Sequence, residues 1–171
     1  MPASPLCPFE RRINRSTLHL FYCDITSLDV DVVVSSDDVD LSMGGGVSAA
    51  LLRAGGVSLW REARTKAPIP LGGVAVTTAG QLRAKRVFHA AVLNQSSREL
   101  TTADLVATVT GKCLKLCDEL GFESIAFPVL ATGAARLPRE ESAVAMLLEA
   151  ASHLRAETGL KNVVVALFPQ Q

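Results

Sequence analysis

Runs of β-branched and aromatic residues alternate along this chain with longer segments whose apolar positions return at helical spacing. Residues 17–22 read as a strand, and 31–35 as a short Val-rich strand of the kind buried on both faces. Residues 74–78, 86–93, 124–129 and 162–168 are further strands, the last almost wholly apolar. Between them, 47–54 and 58–66 read as short helices parted by Gly55-Gly56. A long helix is predicted over 103–120, capped by Thr101-Thr102, with Asp104 in its first turn and Gly121 as its stop. Its apolar stripe is Leu105, Val109, Cys113, Leu116 and Leu120. A last helix spans 139–157, opened by Pro138 and closed by Gly159. Buried strands alternating with helices predict an α/β fold, a mixed or parallel sheet covered on both faces. Pro2, Pro5 and Pro8 make residues 1–12 a loose leader, and 13–171 form one domain.

Composition narrows the function classes. A chain of 171 residues, 49% hydrophobic and 20% charged, can bury one sizeable core. Its 17 acidic and 17 basic residues balance, so no overall field recruits nucleic acid or an anionic membrane. The groups Arg11/Arg12/Arg15 and Arg83/Lys85/Arg86 read as solvated faces. Four cysteines, with Cys113 and Cys117 the only close pair, and His19, His89 and His153 give no zinc pattern. Free thiols of this kind suit a reducing cytoplasm. The first residues lack the apolar segment of a signal peptide, and no stretch approaches the roughly 18 apolar residues that span a bilayer. No metal or cofactor site is expected. The chain stops directly after its last strand, which leaves room for a longer parent protein.

Two loops lie where such a sheet binds ligands, beyond the carboxyl ends of strands. The first runs from Ser35 to Val47 and holds Gly44, Gly45 and Gly46 before a helix. The second is Ala131-Thr132-Gly133-Ala134-Ala135-Arg136-Leu137-Pro138, also followed by a helix. Free amides at two positive helix ends can face one diphosphate from opposite sides. Asp24 ends an earlier strand and offers a carboxylate to an exocyclic amine, or caps a turn. Arg136 is either a phosphate ligand or a solvated arginine. His89 is read as a satisfied core histidine and His153 as a surface residue.

These motifs, in this order, resemble those of the macrodomain, the ADP-ribose-binding module, over nearly the whole chain. The family's Gly-Asp-Ile-Thr is matched by Cys23-Asp24-Ile25-Thr26, and its Asp-Ala-Ile-Val-Asn-Ala-Ala-Asn by residues 31–38. Its glycine run is matched by residues 44–56, its Ile-His-Ala by Phe88-His89-Ala90, and its second phosphate loop by residues 127–138. The resemblance implies a three-layer α/β/α sandwich with a mixed central sheet. It implies that Asp24 holds the adenine amine, with the Ile25 amide beside it and Phe168 bordering the base. Gly44, Gly45, Gly46 and Val47 on one side, and Thr132, Gly133, Ala134, Ala135 and Arg136 on the other, would wrap the diphosphate and distal ribose. Ser36 and Asp38 complete the ligand set. The implied partner is ADP-ribose, or a target protein that carries it.

The departures from the family pattern bear on catalysis. Asp38 replaces the asparagine that contacts the distal ribose, and Ser35 the first asparagine of that motif. Ser48 replaces an aspartate that activates water in one hydrolase branch, and Ala135 an aromatic residue. Asp38 is the one candidate general base. Binding of ADP-ribose or a related NAD-derived nucleotide is therefore the leading expectation, with hydrolysis of ADP-ribosyl or O-acetyl-ADP-ribosyl bonds as the alternative. Two rival motifs are weaker. Gly44-x-Gly46-x-x-Ala49 approximates a dinucleotide fingerprint, but about eight residues part it from its strand. Gly46-Val47-Ser48-Ala49-Ala50 approximates a nucleophile elbow without its second glycine.

Overall fold

The structure, a computed structural model, describes residues 6–97 and 99–167. Its strands are β1 (Leu6–Ile13), β2 (Ser16–Tyr22), β3 (Val32–Asp38), β4 (Val74–Thr78), β5 (Arg86–Leu93), β6 (Ser124–Pro128) and β7 (Asn162–Leu167). Its helices are α1 (Gly46–Gly55), α2 (Val57–Lys66), α3 (Ala103–Leu120) and α4 (Arg139–Arg155). The strands form one sheet in the order β1-β2-β7-β6-β3-β5-β4. The five central strands are parallel, and β1 and β4 close the two edges antiparallel.

Alternation along β3 shows how the layers are held. Val32 and Val34 pack among residues of α3 and α4, while Val33 packs with Leu51 of α1 and Leu59 of α2. One strand thus feeds two cores, the three-layer α/β/α sandwich with a mixed sheet that was expected. The buried stripe of α3 is Val106, Val109, Cys113, Leu114 and Cys117, whereas Leu120 is half exposed. It is rotated from the predicted one because α3 must meet the sheet and α4 together. Thr102 caps that helix, and Gly121 ends it in the left-handed conformation at φ 73°.

The expected leader needs correction from residue 6 onward, where the chain forms β1. Pairing with β2 supplies the reason: β1 is an edge strand, and its register shifts between Leu6 and Phe9, which accommodates the Pro8 backbone. Asn14, at φ 54°, turns the hairpin, and its amide donates to the Leu154 and Arg155 carbonyls at the end of α4. Residues 1–5 and Phe168 lie outside the described residues, as does the Cys7 side chain. Cys23, Cys113 and Cys117 are free thiols. No helix among the described residues is long and apolar enough to cross a membrane. The described residues also contain no cluster of His, Cys, Asp or Glu side chains able to hold a metal ion.

Sheet order places the site. After β3 the chain builds β4 and β5 on one flank, then crosses with α3 to add β6 on the other. The carboxyl ends of β3 and β6 are therefore a topological switch point, where loops leave in opposite directions and open a crevice.

Candidate ligand-binding cleft

A cleft of about 480 Å³ occupies that crevice. Ser36, Asp37 and Asp38 of β3 form its floor, with Val92, Leu93 and Gln95 at the end of β5. Ser42, Gly44, Gly45, Gly46, Val47 and Ser48 wall one side, and Val129, Ala131, Thr132, Gly133, Ala134, Ala135 and Arg139 wall the other.

The first loop is pinned before it reaches its glycines. Leu41 and Met43 are buried at φ 50° and 52°, a conformation that large side chains rarely adopt. Packing against the α2 layer holds them there. From that layer the Trp60 indole donates to the Ser42 carbonyl at 3.2 Å, and Arg64 donates to the Asp40 carbonyl. Asp38 holds the same loop from the sheet. Its Oδ1 accepts the Asp40 and Ser42 amides at 3.0 and 3.1 Å, and its Oδ2 accepts the Ser42 hydroxyl and, at 3.3 Å, the Gln95 amide. Both carboxylate oxygens are thus committed to the loop.

Gly45 then starts α1 with no side-chain cap, and the first intrahelical bond runs from the Ala49 amide to the Gly45 carbonyl. The amides of Gly46, Val47 and Ser48 precede that bond and carry the positive end of the helix dipole. A Cβ at Gly45 or Gly46 would meet nothing within 4 Å, so this backbone stands open to the cleft. Ser48 donates to the Gly45 carbonyl at 2.7 Å, which stiffens the turn.

The second loop has the same design. Ala131 turns at φ 61° and Arg136 at φ 57°. The amides of Arg136 and Leu137 close onto the carbonyls of Gly133 and Ala131, each at 3.0 Å. Ser142 donates to the Leu130 carbonyl from within α4, and α4 itself begins at Pro138 without a side-chain cap. Four of the five non-glycine residues with positive φ among those described lie in these two loops. Strain concentrated in this way marks a functional site.

Of the candidate site residues, Ser36, Asp38, Gly44–Val47 and 132–135 line the cleft together. Arg136 does not: it is exposed and off the wall, and the cation there is Arg139, in the first turn of α4. Asp24 and Ile25 are also off the wall. Asp24 caps the turn Ile25–Ser27, accepting the Thr26 amide and hydroxyl at 2.9 and 2.8 Å on Oδ1. That turn packs against α1 and β6, at the neighbouring end of the crevice. Asp37, Gln95 and Arg139 were missed. Gln95 reaches the floor only through the register of β5 on β3, whereas the paired acids Asp37-Asp38 were a signal in the sequence itself.

A wider groove of about 600 Å³ runs between α3 and α4. Asp104, Glu140, Glu141 and Glu149 rim it around Val144 and Leu148, so it repels an anion and offers none of the open amides described above.

Comparison with known proteins decides the family. The Macro domain family model matches residues 34–146, which hold both loops and strands β4, β5 and β6. The chain belongs to the Macro domain family. An uncharacterized protein of Mycobacterium tuberculosis (strain ATCC 25618 / H37Rv) is 34% identical over 168 residues, covering 96% of this chain and 46% of that protein. The chain thus spans about half the length of that mycobacterial relative. An uncharacterized protein of Aquifex aeolicus is 38% identical over 125 residues, 73% of this chain and 75% of that one. Among solved structures, a macrodomain of Oceanobacillus iheyensis with ADP superposes with a TM-score of 0.85 at 27% identity, covering 95% of this chain and 88% of that one. A Trypanosoma brucei macrodomain in complex with ADP-ribose superposes with a TM-score of 0.80 at 25% identity, covering 89% and 64%.

Proposed function

We propose that this macro domain binds ADP-ribose, free or attached to a protein, in the cleft between its two small-residue loops, with its own NAD-derived nucleotide preference set there. One observation carries the reading: the uncapped start of α1 at Gly45 and the small-residue loop 131–135 face each other across one crevice at the switch point. The α1 dipole and its free amides would hold a diphosphate from one side, with the backbone of the second loop closing on it from the other. Asp24, across the ends of β7 and β6, would take the adenine amine on the carboxylate oxygen that Thr26 leaves open. Arg139 would offset phosphate charge from the rim.

Asp38 favours recognition over hydrolysis. Its oxygens already accept four hydrogen bonds from the loop and Gln95, so drawing a proton from water there would mean releasing the glycine turn. Calorimetric titration with ADP-ribose, ADP, AMP and NAD tests the reading. The expected result is a Kd of micromolar order for ADP-ribose that weakens in Asp24→Ala. Absence of binding to any of the four would overturn it, and release of ADP-ribose from a modified protein would restore the hydrolase alternative.

A further inference from the structure

A buried polar chain runs beneath the cleft on the face covered by α1 and α2. It links Asp37 on β3, His89 on β5 and Thr77 on β4, all buried. His89 Nδ1 lies 2.8 Å from Asp37 Oδ2, and its Nε2 lies 2.9 Å from Thr77 Oγ1. The Thr77 hydroxyl also lies 2.9 Å from the Thr78 carbonyl. The His89 ring thus bridges the Asp37 carboxylate and the Thr77 hydroxyl.

The other carboxylate oxygen is the unusual one. Asp37 Oδ1 is buried and has no hydrogen-bond partner among the described residues, and the same holds for Ser35 Oγ on the same face of β3. Buried polar atoms are nearly always paired, so an orphan acceptor in the wall of a cleft points to a donor that arrives from outside the fold. Asp38, the adjacent acid, has no such capacity left.

The chemistry of the ligand narrows that donor. A diphosphate at neutral pH offers none, and the adenine amine belongs at the Asp24 end, on the β2 side of the crevice. Asp37 lies on the opposite side, toward β5. A dinucleotide-like ligand with its base near β2 and its diphosphate between the two loops places its second sugar there. His89, 2.8 Å away, ties down Asp37 Oδ2 and leaves Oδ1 as the oxygen with capacity for a ligand.

We infer that Asp37 Oδ1, anchored by His89 and Thr77, accepts a hydroxyl of the sugar beyond the diphosphate and so selects ADP-ribose over ADP. The inference rests on the proposed use of the cleft. Its test is the affinity of the wild type, Asp37→Ala and Asp37→Asn for both nucleotides, with circular dichroism to check folding. Asp37→Ala should weaken ADP-ribose about tenfold and leave ADP within about twofold, the loss of a single hydrogen bond. Asp37→Asn can give its N–H to His89 and keep an oxygen in place of Oδ1, so it should stay within about threefold of wild type for both. A crystal structure of the wild type with ADP-ribose removes any dependence on the variants: a ligand hydroxyl should lie within about 3.2 Å of Oδ1. A water bridging Asp37 Oδ1 and Ser35 Oγ without ligand contact would overturn the inference, as would an unchanged ADP-ribose to ADP ratio in Asp37→Ala. Those results leave the cleft reading intact, whereas a wild type that binds neither nucleotide removes both.

Discussion

The hydroxyl oxygen of Ser36 accepts the backbone amide of Ala131 at 3.2 Å, so the end of β3 and the second loop are one hydrogen bond apart. Ala131 is also the residue that turns that loop at φ 61°. The bond therefore ties the second wall of the cleft to its floor. Ser36→Ala should cost about 1 kcal/mol of unfolding free energy, the net worth of one such bond. It should also weaken ADP-ribose severalfold, because the second loop is no longer held. Urea unfolding paired with calorimetry reads both, and a stability loss with unchanged affinity would show the bond to be purely structural.

Asp38 separates recognition from catalysis in a second way. Asp38→Ala removes the acceptor of two amides, a hydroxyl and the Gln95 amide, and should lower stability by about 2–3 kcal/mol. Affinity should fall at least tenfold with it, since the glycine turn loses its anchor. A general base predicts the opposite pattern, with binding retained and turnover lost.

Two glycines should respond in opposite ways. Gly45 has extended backbone and open space where a side chain would go. Gly45→Leu should therefore cost no more than about 1 kcal/mol, while the leucine fills the cleft and blocks nucleotide binding. At Gly80, φ is 57° and a Cβ would lie 2.0 Å from the Gly55 carbonyl oxygen. Gly80→Ala should lower stability by several kcal/mol, about 2–4, and leave the affinity of the folded fraction unchanged. Thermal melts with and without ADP-ribose distinguish the two.

Asp31 ties the opposite end of the sheet. Partial burial raises its carboxyl, but the Lys85 ammonium at 2.7 Å and the amides of Glu123 and Ser124 at 2.8 and 3.2 Å outweigh that and hold it below its ordinary 3.8. Asp118 is lowered likewise, burial being outweighed by Thr158, the Gly159 amide and His153, a side chain that the sequence alone placed at the surface. A carboxyl with a depressed folded pKa stabilises above its unfolded value and loses that contribution as pH falls through the folded one. The urea midpoint should therefore be steady from about pH 6 to 4 and decline below, and Asp31→Asn should flatten the decline.

Much of the fold was legible because its signals are local. The strands 74–78 and 86–93 and the helix 103–120 have the observed bounds, since β-branched runs, a threonine cap and a glycine stop act within a few residues. The leader failed for the reverse reason. Three prolines suggested an unpaired segment, and only β2, brought alongside, supplies the partner that turns residues 6–13 into an edge strand.

The site divides along the same line. Glycines before a helix and small residues after a strand announce themselves in sequence, because an open amide nest needs residues without bulk. Which polar groups face the ligand depends on pairings far apart in the chain. Register sets Gln95 beside Asp38 and His89 on the face of Asp37, and the start of α4 rather than the loop before it brings a cation to the wall. The sequence by itself determined the elements other than β1, the two small-residue loops and the likeness to its family, all carried by short-range backbone preference. Only the tertiary structure decided that Asp38 is consumed in holding a loop while Asp37 keeps a free oxygen, because hydrogen-bond capacity is settled by neighbours that the fold assembles.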